Sequence, residues 1–395
     1  MQQAYDVVIV GGGMVGAALA SALKDTELSV AVIEQHMPKA YDASVPHDLR
    51  VSALSHGSED FLTDLGAWSS LERWRVCPYK QMKVWELNEQ WGATLFDADD
   101  IGASHLGYIV ENRLIQLALL ETLEGAANIS LINDSIANID YQASGSTVTL
   151  AQGSCLKAGL LVAADGAQSR ARAAAHIGVH RWDYEQGAMV INVTTDFEQQ
   201  EITWQQFTPE GPRALLPLSG QNASLVWYDH PDRLRALMAL DDEALLAAIV
   251  ANFPSALGRL TGITAKGWFP LARQHAQQYY KEGIALVGDA AHTINPLAGQ
   301  GVNIGLLDAK VLAECLISAV ANQEELGATK VLAQYEKKRR QHNRMMMQTM
   351  DLFYKAFSND HLPLKVLRNA ALGVAGNLPF ARKAAIRVAM GQTVF

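Results

Sequence analysis

The sequence predicts a mixed α/β fold that combines a mainly parallel sheet, an inserted antiparallel sheet and a helical C-terminal segment. Three observations carry this prediction. The 395-residue chain opens with a strand, a glycine turn and a helix. Buried-strand runs of the same kind recur far along the chain, and strand-like runs separated by turn residues lie between them. At roughly 150 residues per domain, the length suits two domains or one large composite domain.

The amino terminus is predicted to form a βαβ unit. Tyr5–Val10 is a short β-branched run suited to a strand buried on both faces. Met14–Lys24 carries Ala and Leu at helical spacing, and Ser29–Ile33 reads as a second strand. Leu160–Ala164 and Ile284–Val287 are runs of the same buried type, so they are expected to join the same sheet.

The middle of the chain has a different sequence pattern, which is typical of an antiparallel sheet. Its strand-like runs are residues 188–193, 202–208, 213–218 and 223–228. Acidic residues open the apolar helical run Asp241–Phe253, as a helix dipole favours, and the pattern is helical from Gly305 onward. We therefore expect a discontinuous nucleotide-binding domain (residues 1–75, 105–180 and 270–335), a sheet domain for the substrate (76–104 and 181–269) and a helical segment (336–395).

Composition excludes several classes of protein. Hydrophobic residues make up 49% of the chain, too many for a disordered protein. The net charge of −9 argues against nucleic-acid binding, which needs clustered cations. Three separated cysteines give no disulfide framework, and a reducing compartment fits best. Because the early apolar stretch is rich in glycine and lacks a basic leader, we expect a cytoplasmic protein, soluble or at most peripheral at the inner membrane.

The charge is unevenly distributed along the chain. Residues 337–395 carry a net charge of +9, and the preceding 336 residues carry −18. An apolar stripe at helical spacing runs through the same segment, at Met346, Met350, Phe353, Tyr354 and Phe357. One interpretation is a helix that packs its stripe on the core with solvated charges outside. The other is a contact with anionic lipid or with a partner protein.

The first chemical motif is Gly11-x-Gly13-x-x-Gly16, directly after the first strand. Glu34 ends the next strand, eighteen residues beyond Gly16. Glycines let the backbone approach a pyrophosphate, the helix amino terminus favours its charge, and the carboxylate accepts from ribose hydroxyls. The combination predicts a Rossmann-like dinucleotide site, whereas a plain glycine-rich turn would leave the terminal acid unexplained.

A second motif follows the Ile284–Val287 strand. It comprises Gly288-Asp289-Ala290-Ala291-His292, then Pro296 and Gly299-Gln300-Gly301-x-Asn303. Asp289 suits a polyol hydroxyl, and backbone N–H groups near Gly301 and Asn303 suit negative charge developing on a bound ring. The alternative is an ordinary strand–turn–helix with an N-capping Asp. His292 is more readily a structural hydrogen-bond partner than a catalytic base.

A third motif, Ala164-Asp165-Gly166-Ala167-x-Ser169-x-x-Arg172, follows another buried strand. Together, the three motifs resemble the flavoprotein aromatic hydroxylases of the para-hydroxybenzoate hydroxylase type. The resemblance implies that Gly11, Gly13, Gly16 and Glu34 hold the ADP part of FAD and that Asp289 meets its ribityl chain. It also implies that Asp165 and Gly166 form the Asp-Gly pair associated with FAD and the nicotinamide donor.

Two arginines match basic positions near FAD in that family. They are Arg50, in Asp48-Leu49-Arg50, and Arg113, in Glu111-Asn112-Arg113. Either arginine is equally explained as one member of a surface ion pair.

The resemblance covers nearly the whole chain and is most specific in three runs, residues 204–214, 224–228 and 350–354. These look like the ubiquinone-biosynthesis hydroxylases, and within that family they favour the step that acts on the demethoxy quinone intermediate. The resemblance implies that O2 and NAD(P)H or another reductant generate a flavin C4a-hydroperoxide, which hydroxylates a prenylated quinol. Alternatives are hydroxylation at another ring position, a flavin-dependent prenyl reductase, or a quinone-binding scaffold subunit.

The inserted sheet offers aromatic side chains for a substrate pocket. They are Trp204, Phe207, Trp227 and Tyr228, although each one taken singly is better explained as a core residue. The backbone around Pro296, Gly299 and Gly301 is expected to form the wall at the reacting edge of the flavin. No metal is expected, since no His or Cys cluster has the sequence spacing of a metal site.

Overall fold

A computed structural model describes residues 2–87, 89–293 and 301–357 of the chain. The strands are β1 Gln2–Val10, β2 Val30–Glu34, β3 Val51–Leu54, β4 Cys77–Tyr79, β5 Gln81–Glu86, β6 Glu89–Asp97, β7 Gly107–Glu111, β8 Ile129–Asn133, β9 Ile136–Asp140, β10 Ser146–Leu150, β11 Cys155–Ala163, β12 Val179–Thr195, β13 Ile202–Phe207, β14 Arg213–Pro217, β15 Asn222–Asp229, β16 Leu260–Ala276, β17 Tyr280–Lys281, β18 Ile284–Leu286 and β19 His292–Thr293.

The helices connect and cover these strands. They are α1 Met14–Leu23, α2 His56–Asp64, α3 Trp68–Trp74, α4 Asn112–Glu121, α5 Arg170–Ala174, α6 Pro231–Met238, α7 Asp242–Asn252, α8 Gly301–Ala321 and α9 Thr329–Phe357. Short 3-10 turns cover Ala98–Ile101, Ser255–Leu257 and Gly288–Ala290.

The first sheet is built around five parallel strands. Its order is β17-β18-β11-β1-β2-β8, with β10 and β9 added in antiparallel fashion beside β11. Val7 pairs with Leu160 on one side and with Val30 on the other, and all three are fully buried. Burial on both faces explains why these strands read as continuous apolar runs.

Helices α1 and α8 pack closely against each other beside this sheet. A Cβ at Gly305 of α8 would lie 2.7 Å from the Val15 side chain of α1, closer than real carbon contacts allow. The missing side chain therefore lets α8 approach the helix that follows the glycine turn. This contact brings the first and second motifs together.

The second sheet has the order β19-β16-β12-β15-β14-β13-β5-β6 and is largely antiparallel. Residues alternate between its two faces. One face packs in a core with α6 and α7, where Leu225 and Trp227 of β15 lie. The other face, with Ser224, Val226 and Tyr228, looks toward the first sheet across a cavity.

A small third sheet, with the order β3-β7-β4, lies beside α4 and α8. Asn192 of β12 donates to the backbone oxygens of His47 and Asp48, which ties the antiparallel sheet to the segment before β3. This contact fixes the second sheet against the part of the chain that carries Arg50.

The predicted fold class is confirmed, and most predicted elements lie within one or two residues of the observed ones. The predicted helix Asp241–Phe253 is observed as α7, and the predicted strand 223–228 lies within β15. The long strands β12 and β16 run across the domain boundaries expected at 180/181 and 269/270. Within the described ranges, none of the helices is long and apolar enough to cross a membrane.

Candidate functional site

A cavity of about 560 Å³ separates the parallel sheet from the antiparallel sheet. One wall is formed by residues of the three glycine motifs, including Gly13, Gly166 and Asp289. The opposite wall is the free face of the second sheet, where Val226 and Tyr228 lie. A cavity of this size at the boundary of two sheets is where ligand sites usually occur. The sequence motifs and the antiparallel sheet therefore meet at one place.

The glycine turn after β1 exposes unblocked backbone at this wall. Gly11 has a φ of +100°, which glycine adopts readily. Gly13 is the N-cap of α1 and offers no side-chain cap, so the first N–H groups of the helix are open to a ligand. A Cβ at Gly13 would meet no atom within 4 Å, whereas one at Gly16 would lie 1.9 Å from the Gly11 carbonyl oxygen. Gly13 therefore leaves space for a ligand, and Gly16 permits close packing.

Glu34, at the end of β2, folds over the glycine turn. Its Oε2 accepts from the Gly12 N–H at 2.9 Å, and its Oε1 accepts from the His36 N–H at 2.8 Å. These bonds hold the carboxylate at the edge of the turn. Each oxygen retains a lone pair that can accept from a ribose hydroxyl.

The Gly-Asp motif places a carboxylate and a guanidinium at the same cavity. Asp289 is accessible from the cavity but surrounded by protein. Burial raises its carboxyl pKa, and the charges of His292 and Arg50 oppose that shift. Arg50 also borders the cavity. The pair suits a polar ligand that presents hydroxyl groups and negative charge.

In the Asp-Gly motif the two residues have different surroundings. The Asp165 carboxylate accepts from Ser169 Oγ and from the Arg170 N–H, so it caps the start of α5. Gly166, with a φ of +80°, borders the cavity and would place a Cβ in open space. Asp165 thus orders the turn, and Gly166 forms its surface toward the cavity.

Arg172 joins the second and third motifs. Its Nη1 donates to the Ala290 carbonyl oxygen at 2.8 Å, and its Nη2 donates to the Ala167 oxygen at 2.9 Å. Burial lowers its pKa, and the nearby Asp165 opposes that shift. The motif that contains Arg172 indicates no role for this residue by itself.

Asn303 and Arg113 make contacts within the protein. Asn303 Oδ1 accepts from the Ser55 N–H at 3.0 Å and from Ser58 Oγ at 2.7 Å, which fixes α8 to the start of α2. Arg113 Nε lies 2.8 Å from Asp48 Oδ2, so this arginine is a member of an ion pair. The alternative explanation for Arg113, membership of an ion pair, therefore fits the observed contact.

The residues expected at the reacting edge of the flavin are only partly described. Gly301 borders the cavity at the start of α8. Pro296 and Gly299 lie outside the described residues.

Of the four aromatic residues expected at a substrate pocket, Tyr228 lies on the cavity face of β15. Trp204 also borders the cavity, although its ring packs with Trp85 and Phe253 in the helix-covered core. Among the described residues, neither Phe207 nor Trp227 belongs to the cavity wall. Trp227 lies away from the cavity because successive side chains of a strand point to opposite faces of the sheet. Since Tyr228 faces the cavity, its neighbour Trp227 faces the helix-covered core.

Ser224 is a residue of this wall to which sequence patterns assigned no role. Its side chain is fully buried, and its Oγ has no hydrogen-bond partner among the described residues. Around it lie apolar side chains such as Val190, Leu216 and Val226. Because Ser224 borders the cavity, rotation of this unpartnered hydroxyl toward the cavity would supply a contact for a polar group on a ligand.

Behind the Gly-Asp turn lies a buried polar network centred on Asp308 of α8. Its Oδ2 accepts from His292 Nε2 at 2.5 Å and from the Gly288 N–H at 3.1 Å. Its Oδ1 accepts from Arg339 Nε at 2.7 Å and from Asn343 Nδ2 at 3.0 Å. Although burial opposes it, the partners His292 and Arg339 lower the Asp308 pKa to about 2. His292 is therefore a structural partner of a buried carboxylate.

Comparisons with known proteins agree with this geometry. A family model described as FAD binding domain matches residues 4–350. The chain is 42% identical over 390 residues to the 3-demethoxyubiquinol 3-hydroxylase of Escherichia coli (strain K12), covering 98% of this chain and 99% of that protein. It is 34% identical to the mitochondrial ubiquinone biosynthesis monooxygenase COQ6 of Mus musculus, covering 93% and 87%. The crystal structure of p-nitrophenol 4-monooxygenase from Pseudomonas putida superposes with a TM-score of 0.82 at 18% identity over both full chains.

The fold and the cavity define a flavin-dependent monooxygenase. The chain belongs to the FAD-binding family that contains the ubiquinone-biosynthesis hydroxylases. The residues present fit FAD, because open space above Gly13 and Gly166 borders the same cavity as Asp289. The cofactor prediction is thereby confirmed at the level of the family.

Proposed function

We propose that this enzyme hydroxylates the ring of a demethoxyubiquinol-type prenylated quinol, with O2 and NAD(P)H or another reductant as co-substrates. The observation that carries the proposal is the two-sided cavity, with cofactor motifs on one wall and an apolar sheet face on the other. The near full-length relative named for that hydroxylation supports the choice of ring position. Bound FAD supplies the redox chemistry, in that it takes up electrons from the donor and activates O2.

The residues of the cofactor wall bind and orient FAD in this proposal. The open N–H groups after Gly13 receive the pyrophosphate, and Glu34 accepts from the ribose. Asp289 accepts from a ribityl hydroxyl, and Arg172 holds the two turns that frame the ring system in place. Pro296 and Gly299, which lie outside the described residues, are proposed with Gly301 as the wall at the reacting edge.

The sheet wall orients the substrate ring and keeps water away from the reacting atoms. Val226 and Leu216 provide apolar contact, and Tyr228 adds an aromatic ring. Ser224 Oγ is proposed to donate to an oxygen substituent of the quinol. Exclusion of water matters because it protects the activated oxygen from unproductive decay before it reaches the substrate ring.

The direct test uses the purified FAD-loaded protein with a short-chain demethoxyubiquinol, a reductant and ¹⁸O2. We expect a product that carries one labelled oxygen atom on the ring. Turnover that proceeds equally well without O2 would instead identify a reductase. A protein that retains no FAD and converts no substrate would identify a scaffold subunit.

Metabolite analysis of a strain that lacks the gene tests the ring position separately. Accumulation of the demethoxy quinone supports the proposal. Accumulation of an earlier phenol would refute this position and would point to another hydroxylation in the same pathway.

We also infer that the enzyme works at the surface of the inner membrane, where a prenylated substrate resides, and that residues 337–395 make this contact. Lys337 and Lys338 are exposed on α9, which supports the inference. Arg339 does not contribute, because it is buried against Asp308. Most of the other basic residues of this segment lie outside the described residues. Equal co-sedimentation with anionic liposomes of the parent and of a full-length Lys337→Glu, Lys338→Glu variant, which keeps Arg339, would contradict membrane docking.

A further inference from the structure

A cluster of two histidines and a glutamate lies at the start of α2, outside the FAD and substrate walls. It consists of His56 and Glu59 on α2 and His105 in the loop before β7. One potential ligand atom from each residue lies within 4.8 Å of the others. The three side chains are only 10–18% exposed. The residues are 46 or more positions apart between helix and loop, so sequence spacing did not reveal the cluster.

The two imidazole rings present one nitrogen each to the same carboxylate. His56 Nδ1 lies 3.4 Å from Glu59 Oε2, and His105 Nε2 lies 2.8 Å from the same oxygen. The rings stack with centroids 4.3 Å apart and an interplanar angle of 18°. Two nitrogens and a carboxylate therefore converge on one small volume.

The remaining ring nitrogens are held by other groups. His56 Nε2 lies 2.8 Å from the His105 carbonyl oxygen, which can only accept, so this nitrogen carries the proton. His105 Nδ1 lies 2.8 Å from Ser104 Oγ, which can accept from it. Metal-ligating histidines usually donate their second ring nitrogen to a carbonyl or another polar group in this way. Without an ion, His105 Nε2–H donates to Glu59 and the Ser104 hydroxyl donates to Nδ1. In the tautomer protonated at Nδ1, which Ser104 Oγ can accept, the lone pairs of His56 Nδ1 and His105 Nε2 both face Glu59.

The electrostatics of the cluster favour a cation. In its neutral form with Nε2 protonated, His56 points the Nδ1 lone pair at a carboxylate oxygen, and two acceptors that face each other repel. A divalent ion between them turns this repulsion into attraction and satisfies all three groups. A His2Glu set with an open position is a ligand set that Zn²⁺ uses in proteins.

We propose that His56, Glu59 and His105 form a binding site for a divalent transition-metal ion of the Zn²⁺ type, with water completing its coordination. The site joins the first turn of α2 to the loop before β7. Ser55 and Ser58, on the same turn, hold Asn303 at the start of α8. Occupancy is therefore expected to stabilise the segment that supports the wall of the FAD cavity.

The test measures Zn²⁺ binding by calorimetry to the FAD-loaded, tag-free full chain after treatment with a chelator. We expect about one Zn²⁺ per chain and a rise in Tm of roughly 2–4 °C at saturation. His56→Gln and His105→Gln each weaken binding at least about 100-fold, and Ser104→Ala weakens it about tenfold. Mg²⁺, which prefers oxygen ligands, should bind far more weakly than Zn²⁺.

Asp60→Asn is the matched control, since Asp60 is an exposed acid on the same helix next to Glu59. This variant should bind Zn²⁺ as the parent does. Flavin content and circular dichroism identify a variant that fails to fold, in which case the other histidine variant decides. The proposal is overturned if the parent binds no Zn²⁺, or if the folded histidine variants bind it as tightly as the parent.

Discussion

His292 Nε2 lies 2.5 Å from Asp308 Oδ2, in a fully buried contact directly behind the turn that carries Asp289. On its other side, the same carboxylate pairs with Arg339 of α9. The Gly-Asp turn, α8 and α9 are therefore joined through one buried carboxylate. Stability of the FAD wall consequently depends on a group that never contacts the cofactor cavity itself.

Asp308→Asn is expected to destabilise the protein by about 3–5 kcal/mol, because it leaves Arg339 buried without a counter-charge. Because Asn has almost the same volume as Asp, packing is retained, and the loss of stability measures the contribution of the charge. Urea unfolding measures it, with Asp60→Asn as an exposed control expected to change stability by less than about 0.5 kcal/mol. A similar small change for both variants would show that the buried pair contributes little.

Stability is expected to fall as the pH drops from about 6.5 to about 4, in part because of His275. Burial, together with the positive charges of His292, Arg340, Arg273 and Arg344, lowers its pKa from 6.5 to about 4. In that range the unfolded chain binds a proton on this ring and the folded protein does not, so acidification favours unfolding. The contribution of His275 to stability is therefore fully present above the pKa of the unfolded chain, 6.5. It decreases as the pH falls below that value and is lost once the pH has passed the pKa of the folded protein, about 4.

The measurement is the free energy of unfolding of His275→Gln against pH, compared with the parent. The variant should show a shallower decline between pH 6.5 and pH 4. His180→Gln, at an exposed position, should retain the slope of the parent. Parallel curves for the parent and His275→Gln would assign the acid sensitivity to other groups.

Gly13→Ala and Gly16→Ala should separate cofactor binding from folding. A Cβ at position 13 enters the open cavity, so the variant is expected to fold normally and to bind FAD about 10–100-fold more weakly. A Cβ at position 16 would lie 1.9 Å from a carbonyl oxygen, so that variant should lose about 2 kcal/mol or more of stability. Flavin titration and thermal unfolding distinguish the two. The same defect in both variants would contradict the separation.

Ser224→Ala is expected to leave folding unchanged or slightly improved, because it removes a buried hydroxyl without a partner. It should lower kcat/KM for the quinol about 3–10-fold, the value of one ordinary hydrogen bond. Val226→Ala, beside it on the cavity face, is the control for a change in wall volume. Unchanged kcat/KM in Ser224→Ala would show that this serine does not contribute to substrate binding.

The local sequence determined the βαβ unit, the three cofactor motifs and four of the eight described strands of the second sheet. These features depend on short-range patterns: β-branched runs, glycines that permit positive φ, and acids at strand ends. Tyr5–Val10 and Asp241–Phe253 are examples, observed as parts of β1 and α7. The resemblance to flavoprotein hydroxylases followed from residues that are close together along the chain.

Only the tertiary structure decided which aromatic residues face the cavity, since strand register and twist select the face. Trp227 and Tyr228 are neighbours in the sequence and lie on opposite sides of β15. Long-range packing likewise buried Arg339, which in sequence is one of four adjacent basic residues, against Asp308. It also brought His105 to His56 and Glu59, across 49 and 46 positions respectively. Contacts of this kind depend on how distant elements pack, which no local pattern encodes.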